Sequence, residues 1–167
     1  MSSSAGLSTL GSSAMAERPI DNVLITIAAP KDLDDIVELC QEYCIADGHA
    51  IDLTLIRNGA RGLIEDSSNG FMLIARESSG VAVGYAAVST GWSIEVGGRD
   101  FVLDEIYARR RGVGIGASLL RAVEHECERQ DVRRIFLETE RPNNRARTLY
   151  ARYGFTEDDS IWMSKEL

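Results

Sequence analysis

The chain has 167 residues, 44% of them hydrophobic and 26% charged, which is the balance of a water-soluble globular domain long enough for one substantial core. No apolar run approaches the ~18 residues of a membrane-spanning helix, and a net charge of −8 argues against nucleic acid as a partner. That charge is uneven, because residues 109–152 carry eleven Arg against six Asp or Glu, a local +5, and leave −13 for the rest of the chain. A basic stretch of that kind suits a polyphosphate, and the acidic remainder suits a cationic small molecule.

Residues 1–21 include six serines by Ser13 and lack both a basic n-region and a long apolar core, so they read as a disordered tail rather than a signal peptide. One domain is expected over 22–167. Residues 23–28 form a β-rich run that Pro30 stops, and Asp32 stands as N-cap to a helix marked by Leu33, Ile36, Val37, Cys40, Tyr43 and Cys44. Asp47, His49 and Asp52 follow in a polar connection; each can orient an amine or simply cap a helix. A second helix is expected over 53–64.

Strands are predicted over 71–75 and 81–89, and a hairpin over 92–96 and 99–103 with Gly97-Gly98 as a two-residue turn. A helix marked by Ile115, Leu119, Leu120, Val123 and Cys127 precedes a strand over 135–139, a helix over 143–153 and a last strand over 161–165. This alternation with an antiparallel hairpin implies an α/β fold, a mixed sheet covered on both faces. Cys40, Cys44 and Cys127 are odd in number and lack metal-ligand spacing, so buried thiols in a reducing, cytoplasmic compartment are expected, with no metal.

The informative stretch is Asp104-Glu105-Ile106-Tyr107-Ala108-Arg109-Arg110-Arg111-Gly112-Val113-Gly114-Ile115-Gly116-Ala117. A strand ending in acidic and aromatic residues runs into a basic, glycine-rich turn and then a helix. Glycines permit close backbone approach, and the first N–H groups of a helix have no internal partner, so the junction favours a phosphate or pyrophosphate. A P-loop would require Lys and Ser or Thr after Gly116, where Ala117-Ser118 stand. A dinucleotide fingerprint would require a different glycine spacing near the start of the domain.

What remains, Arg111-x-x-Gly114-x-Gly116, resembles the Arg/Gln-x-x-Gly-x-Gly/Ala pyrophosphate loop of the GCN5-related N-acetyltransferase (GNAT) superfamily. Asn143-x-x-Ala146-x-x-Leu149-Tyr150-x-x-x-Gly154-Phe155 resembles that superfamily's next motif, in the same order. The resemblance spans about residues 23–166 and implies a single domain that binds acetyl-CoA and acetylates a primary amine of a small, cationic molecule. It also implies that residues 109–117 hold the coenzyme, that Asn143 and Ala146 contact it, and that Tyr150 protonates the leaving thiolate. Ala108 or Ile106 would offer the N–H that polarises the thioester, depending on whether two residues are missing between Tyr107 and Gly112.

Regular strand alternation puts Val102, Asp104, Ile106 and Ala108 on one face and Leu103, Glu105 and Tyr107 on the other. Resembling family members often carry an acidic or histidine side chain on the face that Asp104 takes here, which makes Asp104 the first choice for the base or amine orienter and Glu105 the reserve. Alternatives left open are a protein N-terminal or lysine acetyltransferase and a non-catalytic acyl-CoA-binding module. Edge strands leave room for a homodimer.

Overall fold

The structure is a computed structural model and describes residues 23–48 and 50–166; the expected tail and His49 lie outside them. Gly70–Glu77 (β2) and Ala82–Ser89 (β3) hold the centre of the sheet. Almost all of their residues are small or apolar and buried, as strands covered on both faces must be. Val23–Ile27 (β1) pairs antiparallel with β2, β2 with β3, and β3 with the long Gly98–Ala108 (β5). Trp92–Ser93 (β4) continues along β5 from the end of β3, and Val132–Phe136 (β6) lies parallel to β5.

Leu33–Asp47 (α1) and Leu53–Glu65 (α2) cover one face through Ile36, Leu39, Cys40 and Ala60, packed on Met72, Ile74, Tyr85 and Ala87. Ile115–Arg129 (α3) covers the other through Ile115, Leu119, Leu120, Val123 and Cys127, packed on Phe71, Leu73, Val88, Phe101 and Leu103. Asn144–Arg152 (α4) adds Leu149 and Tyr150 to the edge of that second core. The expected mixed α/β sheet with helices on both faces is the fold observed.

Three local expectations need correction. Gly98 belongs to β5 opposite Ser93, so the hairpin turns over residues 94–97. The Ser93 hydroxyl accepts from Glu95 N at 3.2 Å, and Gly97 alone takes the left-handed conformation. The strand expected over 135–139 ends at Phe136, because its pairing with β5 stops at Val102↔Phe136. Residues 161–165 join no ladder. Ile161 and Met163 are exposed there, while Trp162 stacks on Phe136 with ring centroids 5.8 Å apart; strand propensity needs a backbone partner to become a strand.

Candidate active site

Strand β5 determines the geometry. It is paired with β6 only over residues 99–102, so residues 103–108 present an open edge on that side. Arg109 N donates to Val83 O at 2.9 Å. N–H groups alternate along a strand, so Tyr107 and Glu105 face β3 while Ile106 and Ala108 turn their N–H groups to the open edge. Both of the donors considered from sequence therefore face the cleft.

The register between β3 and β5 slips by one residue at Asp104, with Ala87 opposite Glu105 and Val88 opposite Leu103. This β-bulge leaves Asp104 unpaired and reverses the parity of everything after it. Leu103 consequently lies on the α3 face with Ile106 and Ala108, whereas Tyr107 packs among the residues under α1. The face assignment from regular alternation is thereby corrected for Val102 and Leu103, which exchange faces relative to residues 105–108, while Glu105 stays with Tyr107 on the α1 side.

Asp104 is exposed and helps line a cavity of about 310 Å³ at the apex of the cleft, together with Ser89, Val102, Leu103, Glu138 and Trp162. Glu105 is half-buried, and its Oε2 accepts from the Tyr85 hydroxyl at 2.5 Å.

At the other end of the open edge, the glycine loop leads into α3. Gly112 and Gly114 have φ of 82° and 91°, a region that disfavours side chains, so the turn requires glycine for its own geometry. Gly116 differs. It lies inside the helix, and a Cβ there would meet only Leu149 Cδ2, at 3.8 Å. The fold has room for a methyl group there, in keeping with a loop that accepts glycine or alanine at this position. The first intrahelical bond is Ser118 N to Gly114 O, which leaves the N–H groups of Ile115, Gly116 and Ala117 at the helix mouth. The side chains of Ile115 and Ala117 are buried, and Val113 is exposed.

The three consecutive arginines separate in the fold. Arg109 turns back to α1, where it pairs with Glu42 and with Glu38 at 2.5 Å and donates to Ala82 O at 2.7 Å. Arg110 pairs with Glu77. The expectation of three mobile cations at the loop is therefore corrected to one, Arg111, which is exposed and has no ion pair among the described residues. Arg145, which the sequence reading did not single out, approaches Gly112 from α4: its guanidinium lies 3.4 Å from where a Gly112 Cβ would be.

On α4, Asn143 Oδ1 caps the helix by accepting from Ala146 N at 3.2 Å. One turn on, Tyr150 packs near Phe155 at 5.8 Å between centroids, and burial pushes its phenol above the ordinary value. It is therefore protonated at neutral pH. Its position also places it within electrostatic reach of Tyr43 on α1, across the cleft.

Asp52 caps α2, accepting from Thr54 N and Leu55 N at 2.9 and 3.2 Å, so the helix-cap alternative describes it. Asp47 ends α1. Cys40, Cys44 and Cys127 are buried and free, and burial pushes the Cys40 and Cys127 thiols up to about 12, which leaves them unreactive. No group of side chains among the described residues can hold a metal ion, and no helix among them is long and apolar enough to cross a membrane.

Sequence reasoning passed over Tyr85, Glu138, Trp162 and Arg145. Tyr85 had a signal, as the one polar side chain in an otherwise apolar or small run. Trp162 had none, since a packing partner 26 positions earlier is invisible locally.

A family model described as the Acetyltransferase (GNAT) family matches residues 33–155. No curated protein matches the chain. Among solved structures, an integron cassette protein from the mobile metagenome of Cole Harbour Salt Marsh is 26% identical, with a TM-score of 0.76 over 86% of this chain and 90% of that one. A predicted acetyltransferase with acetyl-CoA from Clostridium acetobutylicum is 19% identical, with a TM-score of 0.71 over 86% and 96%. An aminoglycoside acetyltransferase from an uncultured soil metagenomic sample is 15% identical, with a TM-score of 0.73 over 89% and 99%. The open edge of β5, the glycine loop at the mouth of α3 and a family match over most of the domain agree: the chain belongs to the GNAT acetyltransferase family.

Proposed function

We propose that the protein transfers an acetyl group from acetyl-CoA to a primary amine of a small cationic molecule, by direct attack of the amine on the thioester. The observation that carries this reading is the parting of β5 from β6 after Val102. It leaves two backbone donors between an anion-binding helix mouth and an acid-lined cavity. The residues fit the coenzyme: N–H groups at 115–117 left at the helix mouth, and Arg111 and Arg145, neither of which has an ion pair among the described residues.

The coenzyme supplies an activated acyl group. The chain supplies charge and proton management. Asp104 and Glu138 line the cavity with negative charge beside the Trp162 ring, an arrangement that favours an ammonium group. The ammonium loses one proton to a carboxylate, directly or through water, because an amine with a pKa near 10.4 is protonated at neutral pH. The nitrogen then forms its bond to the carbonyl carbon, whose oxygen is stabilised by the N–H of Ile106 or Ala108. As the carbon–sulfur bond breaks, Tyr150 gives its proton to the thiolate and regains one from the nitrogen. The net release is one proton.

A cavity of this size favours a small acceptor over a protein terminus or lysine. Buried, unpaired cysteines support a reducing compartment. The test is thiol release on incubation with acetyl-CoA and a panel of amines. Cationic amines should be acetylated in preference to neutral and acidic ones, with their apparent affinity falling at high ionic strength. No thiol release with any amine, despite coenzyme binding, would leave the non-catalytic module as the better reading.

A further inference from the structure

We propose that Tyr85 is a positioning residue for the proton-accepting carboxylate: its hydroxyl holds the Glu105 side chain turned toward the acceptor in the cleft. The inference rests on the acetyltransfer reading above and assigns its proton step.

Strand β3 is composed of Ala, Val and Gly except at Tyr85 and the terminal Ser89, and Tyr85 is 0% exposed in the core beneath α1. A phenol buried among aliphatic groups requires an acceptor. Its acceptor is an ionisable carboxylate, 2.5 Å away, on the strand that forms the cleft. Facing Glu105 are Tyr85 from β3 and Cys40, Tyr43 and Cys44 from α1. Asp47 acts on Tyr43 and Cys44 from the end of α1, and among these groups the hydrogen bond donated by Tyr85 favours the ionised carboxylate.

The bulge at Asp104 completes the arrangement. With Asp104 looped out, Ser89↔Val102, Ala87↔Glu105 and Tyr85↔Tyr107 follow one another on a single face. Glu105 thereby becomes the next side chain along from Val102, which lines the apex cavity. A regular strand would leave Val102 and Glu105 on opposite faces. Asp104 keeps a separate role, as negative charge in the cavity.

In the step assigned here, the acceptor's ammonium gives one proton to Glu105 and becomes the neutral amine. Glu105 then returns that proton to solvent, so the carboxylate is regenerated and nothing is oxidised or reduced.

The experiment is the pH dependence of kcat/KM for Tyr85→Phe, which keeps the ring and removes the donor. Loss of the hydrogen bond should raise the acid limb by roughly one pH unit, which is about a tenfold loss below the limb and little change above it. The acetyl-CoA affinity should be unchanged. Replacement of Tyr85 by 3-fluorotyrosine, a stronger donor of nearly the same shape, should lower the limb and serves if Tyr85→Phe fails to fold. Carboxyl ¹³C titration of Glu105 in the protein without substrate should move in the same directions.

An active wild-type protein whose limb and Glu105 titration stay in place in these variants would overturn the inference and make Tyr85 a structural aromatic. A wild-type protein that acetylates no amine would instead refute the proposed function. The Glu105 titration would then still decide whether the pair is coupled.

Discussion

Substitution of Gly116 by leucine and by alanine separates what the glycine loop does for the fold from what it does for the coenzyme. The alanine methyl group would meet only Leu149 Cδ2, at 3.8 Å, an ordinary van der Waals distance, and Gly116 is already helical. Glycine in a helix costs about 0.5–1 kcal/mol relative to alanine. The alanine variant should therefore be as stable as the parent or more so, with a melting temperature raised by up to roughly 2–4 °C for a domain of this size. At the helix mouth a larger side chain, as in Gly116→Leu, obstructs the approach of a diphosphate to the N–H groups of residues 115–117, while alanine, which the family's loop accepts at this position, serves as the control. Loss of one charge-assisted hydrogen bond costs about 1.5–3 kcal/mol, which corresponds to roughly ten- to hundredfold weaker binding. Calorimetric titration with acetyl-CoA, alongside a thermal melt, reads both quantities. Undiminished affinity in a folded Gly116→Leu protein would refute the pyrophosphate-loop assignment. Gly114 is a poorer probe, because its φ of 91° would strain any side chain whether or not the coenzyme binds.

Three further outcomes are expected. Arg111→Ala should weaken acetyl-CoA binding, most visibly at low salt, and leave the melting temperature alone. Arg109→Ala should do the reverse, because it breaks the links to Glu38, Glu42 and Ala82 O, at a cost of about 2 kcal/mol in stability. Tyr150→Phe should lower kcat with acetyl-CoA affinity nearly intact, since its hydroxyl matters as the carbon–sulfur bond breaks; an unchanged kcat would remove it as the acid.

A fourth concerns pH. Burial pushes the Asp32 carboxyl up, but hydrogen bonds from Ala29 N–H and Arg76, with the Arg76 charge, outweigh burial and hold it below the ordinary value. A depressed folded pKa stabilises the fold fully above the unfolded value of about 3.9, and that contribution disappears as pH falls through the folded value. Denaturant melts of the parent and Asp32→Asn should therefore differ at pH 7 and converge in strong acid.

Sequence alone determined whatever is decided within a few residues along the chain. The helices α1 to α4, the glycine loop and its attachment to α3, and the burial of the cysteines all follow from local periodicity, caps and glycine chemistry. The family resemblance lay in those same contiguous motifs.

Tertiary structure decided whatever depends on a distant partner. Arg109, Arg110 and Arg111 are adjacent in sequence, yet two of them are neutralised by Glu38, Glu42 and Glu77, whose proximity no local pattern reveals. Residues 161–165 have strand composition, yet no ladder in the fold offers them a partner. Most consequential is the bulge at Asp104. Regular alternation assigns Leu103 and Tyr107 to one face, but pairing with β3 sets the register, and one unpaired residue, Asp104, puts them on opposite faces and leaves Glu105 with Tyr107. A period of two tolerates no insertion, so the surroundings of the two neighbouring carboxylates were decided only once the partner strand was in place.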